Sequence, residues 1–384
     1  MASPTTASAA ARVLSAAKPI LFLIDELEVG GSQHQILLLA KTLKRGGHPV
    51  TVAYFRAAGA ALRPEFEAAG IEVQLVPKRF GVDPFFFMRL VRFLSADRSR
   101  HVLSFGYTAN LWSRLAGWPA GNAPPISCIR NLGYLPRPSS TVLARLERLL
   151  ARRSRWVVAN SQVTAESVVA RGCIPREKML VIPNAVEGEA PAPREAARAR
   201  LRALVGGTDA APIIGTLARL VAPKDLPTLL RAARLVVDRR PEARFVIGGE
   251  GPDRPTLEAL RRELGLDERF YLPGTLAGRD VITGLDVAVL SSASEGMPNF
   301  VLEAMAAGVP IVSTRAGAAP ELLEDGKLGR LVAVGDHRAL ADAIVAVLDE
   351  PVEAQATVER AAVKARSMSP AQIAAQYLAL FESD

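Results

Sequence analysis

A chain of 384 residues, 49% hydrophobic and 22% charged, with two cysteines, is long enough for two or three domains with sizeable cores. It is not a disordered polymer, a collagen or a small disulfide scaffold. The net charge of +8 raises nucleic acid or an anionic membrane surface as partners, but it is unevenly divided: 24 basic and 11 acidic residues precede Pro183, against 23 and 28 from there on, so the first half is near +13 and the second near −5.

Residues 1–17 are rich in Ala, Ser and Thr, with Arg12 inside their only mildly apolar part, and read as a disordered leader rather than a secretory signal. No later stretch approaches the roughly 20 apolar residues of a membrane helix; the longest runs are short, such as Ile36–Ala40. From Pro19 onward, apolar or β-branched runs alternate with segments of helical period. Strands are predicted at Ile20–Asp25, Pro49–Phe55, Ile71–Val76, His101–Phe105, Pro125–Ile129, Trp156–Ala159 and Met179–Ile182. Near-continuous Val/Ile/Leu runs between helices are what strands covered on both faces look like, which implies a parallel, doubly wound α/β sheet.

Residues 184–211 change character, with Pro191, Pro193, Gly206 and Gly207 around an Ala/Arg helix, and read as a domain junction. The alternation then restarts at Ile213–Leu217, Arg244–Ile247, Phe270–Leu272, Val287–Leu290, Pro310–Ser313 and Leu331–Val334. The expected organisation is a first α/β domain over 18–183, the junction, and a second over 212–368. Ser369-Pro370 opens a final helix through Tyr377 and Phe381, and this segment, 369–384, is expected to pack back on the first domain. Cys128 and Cys173 show no metal-ligand spacing and read as reduced core thiols of a cytoplasmic protein.

Three segments carry candidate chemistry. Arg219 follows the strand Ile213–Leu217, and Lys224 follows five residues later; two cations at a strand's carboxyl end suit a diphosphate, though the spacing alone is a weak signal and fits two solvated charges better. The strand at Leu285–Leu290 leads through the turn Ser291–Gly296 into a helix from about Pro298 to Ala307. Its N-terminus is a natural seat for phosphate or sugar oxygens. Glu295 in that turn and Glu303 in the helix can each accept from vicinal hydroxyls. The alternative for Glu295 is a helix cap, whereas the apolar neighbours Val301, Leu302, Ala304 and Met305 argue against a solvated Glu303. In the first domain, Gly30-Gly31 sits between a strand and the helix Gln35–Leu43, where a ligand can approach backbone N–H groups or where only a tight turn is needed. Neither this pair nor Gly248-Gly249-Glu250-Gly251-Pro252 fits the dinucleotide fingerprint.

Together these segments resemble glycosyltransferase family 4, the retaining nucleotide-sugar enzymes of GT-B architecture. The resemblance rests on I-P-N-A-V (Ile182–Val186), Gly215–Asp225, I-G-G-E-G-P (Ile247–Pro252), the Glu-x7-Glu block within Leu285–Val312, and G-A-A-P-E-L (Gly317–Leu322), and it covers nearly the whole chain. It implies two Rossmann-like doubly wound domains facing a cleft. By the resemblance, Arg219 and Lys224 hold the donor diphosphate, Glu295 binds the transferred sugar, and Glu303 binds the ribose. The donor also meets Gly296, Met297, Pro298, Asn299, Val301 and Leu302; the base lies by Gly249, Glu250, Gly274 and Leu276; and Gly30 and Gly31 reach the phosphates from the first domain. The implied reaction passes a sugar from a nucleotide diphosphate to a glycan or lipid-linked acceptor in cell-surface polysaccharide or glycolipid synthesis, with retention. No cofactor or metal is expected, and the chain has no Asp-x-Asp near a strand end.

The chain departs from the family's pattern in several places. No histidine stands where family members often carry one in the first domain: His101 begins its strand, and His48 and His337 are misplaced for the role. Arg130, Asn131 and His34 are the acceptor-side candidates that remain. Asp225 stands in place of the usual Gly and Ser291 in place of the usual Pro. Arg145, Arg148, Arg152, Arg153 and Arg155 read as one face of a helix whose other face holds Val142, Leu146, Leu149 and Leu150, suited either to an anionic leaflet or to packing on the sheet. Phe85-Phe86-Phe87 with Arg89 and Arg92 is a second such segment. The expected location is cytoplasmic, or peripheral on the inner membrane face. An epimerase-like enzyme of the same fold and a nucleic-acid-binding protein are the competing readings; no recognition motif supports the latter.

Overall fold

The computed structural model describes residues 18–81, 83–133, 141–188, 193–208, 210–276 and 278–382, without the side chains of 141–144 and 278–280. The expected leader 1–17 lies outside them, as do Pro191 and the side chain of Val142. The chain divides into two compact units. The first holds the residues up to Asn160, Ala165–Ile182 and those from Ile373; the second holds Ser161–Thr164 and Pro183–Gln372.

In the first unit, β1 (Ile20–Ile24), β2 (Val50–Tyr54), β3 (Glu72–Leu75), β4 (His101–Phe105), β5 (Ile126–Ile129), β6 (Trp156–Ala159) and β7 (Met179–Val181) form one sheet in the order β3-β2-β1-β4-β5-β6-β7. Every described pairing is parallel. All five residues of β1 are buried, as helices on both faces require. Aromatic rings fill one side: Phe86 meets Phe55 at 4.9 Å and Trp112 at 5.2 Å between centroids. The helix Pro84–Ser95 that carries Phe86 starts where it does because Asp83 accepts from the Phe86 N–H at 2.8 Å and Pro84 opens the first turn. Of the three consecutive phenylalanines, Phe86 is buried, Phe87 packs on the core and Phe85 is exposed.

In the second unit, β8 (Ile213–Leu217), β9 (Arg244–Gly248), β10 (Phe270–Gly274), β11 (Val287–Leu290), β12 (Ile311–Thr314) and β13 (Arg330–Val332) pair in the order β10-β9-β8-β11-β12-β13, again all parallel. The junction helix, Arg194–Val205, is part of this unit's core through Ala197, Leu201 and Val205. The final helix, Pro370–Glu382, packs on the first unit from Ile373 onward: Phe381 stacks on His101 at 4.1 Å, and the buried Tyr377 reaches the Cys128 thiol at 3.9 Å. Both cysteines are free and buried.

The structure revises three details. The first-unit helix runs Gly31–Arg45 rather than Gln35–Leu43, because the polar Ser32 and Gln33, half-buried, and the exposed His34 form its first turn. The arginine-bearing helix ends at Ala151, so Arg152, Arg153 and Arg155 follow it. On that helix Leu150 is buried, but Leu146 and Leu149 are 48% and 60% exposed, because the inward face is taken by the charged Glu147.

Candidate donor site

In a doubly wound sheet, ligands bind beyond the carboxyl ends of the strands where the strand order reverses. In the second unit that point lies between β8 and β11, which pair directly although β9 and β10 separate them in sequence. The loops after these two strands carry Arg219 and Lys224 on one side and Glu295 on the other.

The two loops are tied by backbone and side chain. The Pro223 carbonyl accepts from the Ala293 N–H at 2.9 Å, and Ser291 Oγ donates to the Lys224 carbonyl at 3.0 Å. Lys224 Nζ donates to Glu295 Oε1 at 2.6 Å, and Ser292 Oγ donates to the same oxygen at 2.7 Å. Arg219 is exposed and makes no ion pair or side-chain hydrogen bond among the described residues. Its guanidinium is therefore an uncommitted cation beside a committed one. Asp225 turns the chain from Lys224 into the next helix with φ +43°, and its carboxylate accepts from Thr228 Oγ1 at 2.8 Å. A residue other than glycine is thus held in the left-handed region by a local hydrogen bond.

The helix Asn299–Ala307 begins after Pro298 without a side-chain cap. Phe300, Val301, Leu302, Ala304 and Met305 bury it in the core, and Glu303 is half-buried within this apolar helix. Val301 and Leu302 thus place the helix by packing. Asn184, inside the I-P-N-A-V segment, donates from Nδ2 to Asn299 Oδ1 at 2.6 Å and from its backbone N–H to Met297 Sδ at 3.1 Å, fixing the helix entry.

The third strand end, β9, comes close to its neighbours through glycine. A Cβ on Gly249 would lie 1.9 Å from the Ala218 carbonyl oxygen, and one on Gly251 would lie 2.3 Å from that of Leu220. The Gly249 N–H donates to the Gly274 carbonyl at 2.8 Å, and Leu276 packs against the core beside Gly248. Glu250 points elsewhere: both its oxygens accept from Arg254, at 2.9 Å each, and this hydrogen bonding holds its carboxyl below the usual range. Its side chain belongs to an exposed ion pair, and only its backbone, accepting from the Leu220 N–H at 2.9 Å, joins the strand ends.

In the first unit, Gly30 is the N-cap of the uncapped helix Gly31–Arg45, in an extended conformation, and His34 is exposed on the first turn. Arg130 follows β5 with its guanidinium 5.5 Å from the Phe105 ring centroid and 3.3 Å from the Tyr377 hydroxyl, while Asn131 is exposed. His101 stands at the opposite, amino end of its strand, and burial pushes its imidazole below the ordinary histidine value.

Three contributors to the second-unit site carry no role in the sequence reading: Ser292, Thr314, which donates to the Ser292 carbonyl at 2.7 Å, and Gly317, whose φ of +53° lets it lie under Glu295. Only Gly317 had a legible signal, as the first residue of the quoted G-A-A-P-E-L.

Residues 29–189 match the family model "Glycosyltransferase Family 4", and residues 211–350 match "Glycosyl transferases group 1". A 2-deoxystreptamine glucosyltransferase of Streptomyces kanamyceticus is 27% identical over 63% of this chain and 66% of its own length. A GDP-mannose-dependent phosphatidylinositol monomannoside mannosyltransferase of Mycolicibacterium smegmatis is 35% identical over 46% and 48%. The chain therefore spans about half to two thirds of these relatives' length. Among solved structures, Anabaena HepE in complex with UDP-glucose has the same fold, with a TM-score of 0.84 at 22% identity, covering 96% of this chain and all of that one.

Proposed function

The chain belongs to glycosyltransferase family 4 and has the GT-B fold, and on that premise we propose that it transfers a sugar from a nucleoside diphosphate donor to a glycan or lipid-linked acceptor, with retention of anomeric configuration. One observation carries this reading: the cationic loop after β8 and the carboxylate loop after β11 meet at the switch point of the second sheet, with Lys224 against Glu295 at 2.6 Å.

Breaking the bond between the anomeric carbon and phosphate leaves positive charge on the sugar and negative charge on the diphosphate. Arg219 and Lys224 supply cations where the negative charge develops, and the N–H groups at Gly296–Asn299 add to them. Glu295 takes sugar hydroxyls and Glu303 the ribose. The acceptor oxygen bonds to the anomeric carbon on the face the leaving group departs from, and its proton passes to a phosphate oxygen of the nucleoside diphosphate. The protein then needs no nucleophile of its own. In the first unit, Arg130 donates to the Tyr377 hydroxyl at 3.3 Å, which fixes the guanidinium of this acceptor-side candidate. The two cations perform the charge neutralisation a divalent metal would otherwise provide, so a chelator is expected to leave turnover unchanged.

The exposed Leu146 and Leu149, flanked by exposed Arg145, Arg148, Arg152 and Arg153, support a partner for the first unit as well: an anionic membrane surface bearing the acceptor. Among the described residues no helix is long and apolar enough to cross a membrane. The donor assignment is tested by measuring binding and donor hydrolysis over a panel of nucleotide sugars, for the wild type beside Lys224→Ala and Glu303→Ala. Both variants should lose donor binding or turnover; undiminished activity in both would sink the assignment.

A further inference from the structure

The side chains proposed to receive a donor already satisfy one another. Lys224 and Glu295 are 27% and 11% exposed, and the carboxylate oxygen that takes the ammonium also takes the Ser292 hydroxyl. Their loops are joined independently, through the Pro223 carbonyl and Ser291 Oγ, so the ion pair can open while the backbone stays in place. Arg219 remains free to meet an incoming anion.

We propose that Glu295 is an internal competitor of the diphosphate for Lys224, and that this competition makes the site prefer an intact nucleotide sugar over the nucleoside diphosphate left after transfer. The inference rests on the donor-site reading above. When an intact donor binds, phosphate replaces the carboxylate at Lys224 while sugar hydroxyls replace the ammonium at Glu295. Both groups exchange partners and neither is stranded. When a nucleoside diphosphate binds alone, Lys224 is taken and Glu295 keeps only the Ser292 hydroxyl in a largely buried position. Leaving a buried charge short of partners is costly. The spent nucleotide is therefore held more weakly, which favours its release after each turnover.

The test is calorimetric binding of UDP, GDP, UDP-glucose and GDP-mannose to the wild type, Glu295→Gln, Lys224→Gln and the double variant, with Glu295→Ala as a second replacement and thermal unfolding to confirm folding. Glu295→Gln should bind the nucleoside diphosphate about fivefold more tightly or better, the size of coupling expected for side chains in contact, and should not bind the nucleotide sugar more tightly. In the Lys224→Gln background the same substitution should change diphosphate affinity little. Unchanged or weaker diphosphate binding by Glu295→Gln and Glu295→Ala would overturn the inference. So would a tightening that persists without Lys224, since that reports plain charge repulsion. A wild type that binds none of the four ligands would instead bring down the donor-site reading, and the inference with it.

Discussion

Where the Glu295 carboxylate stands depends on a residue with no side chain. A Cβ on Gly317 would lie 2.0 Å from the Glu295 carbonyl oxygen, and its φ of +53° is one that other residues adopt only at a cost. The next N–H, of Ala318, donates to the Gly296 carbonyl at 2.9 Å, so the turn behind the carboxylate is seated directly on this glycine. Gly317→Ala is expected to displace the Glu295 loop by a fraction of an ångström or more. Displacements of that order can lower turnover by up to about 100-fold. Steady-state donor hydrolysis beside a melting curve checks this, the expectation being a larger loss of activity than of stability. The buried Cys128 gives a prediction of another kind. Burial raises its thiol from 9.0 to about 11, and the Tyr377 hydroxyl beside it is raised for the same reason. A thiol that ionises only at higher pH in the folded state stabilises the fold fully below pH 9. That contribution, about 2 to 3 kcal/mol, is lost as pH rises from about 9 to about 11, because only the unfolded chain then releases the proton. Denaturant melts across this range should show the decline, and Cys128→Ser should reduce it, leaving the part that the raised Tyr377 hydroxyl contributes above pH 10.

At the scale of elements, the strands were the most legible feature, because a strand covered on both faces must be apolar throughout, as in Ile20–Ile24 and Val287–Leu290. Helix starts were less so: Ser32, Gln33 and His34 are polar whether they open a helix or precede one, and only the backbone geometry at Gly30 decides. At the candidate donor site, the Arg-x4-Lys and Glu-x7-Glu spacings were readable, but the tie between them was not, since Lys224 and Glu295 stand 71 positions apart. The same holds for the buried pair of Arg114 and Glu147, which joins the helices Tyr107–Ala120 and Thr141–Ala151 at 2.5 Å with both side chains almost wholly inaccessible. Arg114 Nε also donates to Ser127 and Ser154, at 3.1 and 2.9 Å. In sequence each looks like a surface charge. Removing one partner strands the other in the core, and Glu147→Ala is expected to cost about 3 to 5 kcal/mol. Replacing Arg114 and Glu147 together with Met and Leu should cost much less than the single change. Equilibrium denaturation of the three proteins decides this; equal losses for the single and the double replacement would mean that the pair contributes through packing alone.

For the whole molecule, the uneven charge now has a structural address. Because Glu147 and Leu150 turn inward, the helix Thr141–Ala151 presents Arg145, Leu146, Arg148 and Leu149 outward, and Arg153 beyond its end lies over the Trp118 ring at 5.2 Å. Trp118 is 75% exposed, a large aromatic residue in water beside a guanidinium. Exposed arginines interspersed with exposed leucines, and an exposed tryptophan under Arg153, fit a surface that is both negative and apolar at shallow depth, as an anionic leaflet is. A nucleic acid offers the charge but no apolar layer. Each arginine near such a leaflet is worth about 1 kcal/mol, so Arg145→Gln, Arg148→Gln and Arg152→Gln combined should weaken partition onto phosphatidylglycerol-rich vesicles by roughly 100-fold at low salt, and should also flatten its salt dependence. Trp118→Ala should weaken partition at every salt concentration without flattening that dependence, because what it removes is apolar. Co-sedimentation at two ionic strengths reads both effects. A wild-type chain that stays in the supernatant at low salt, or that binds a DNA duplex as tightly as it binds the vesicles, would separate the basic face from any membrane role while leaving the donor-site proposal for the second unit untouched.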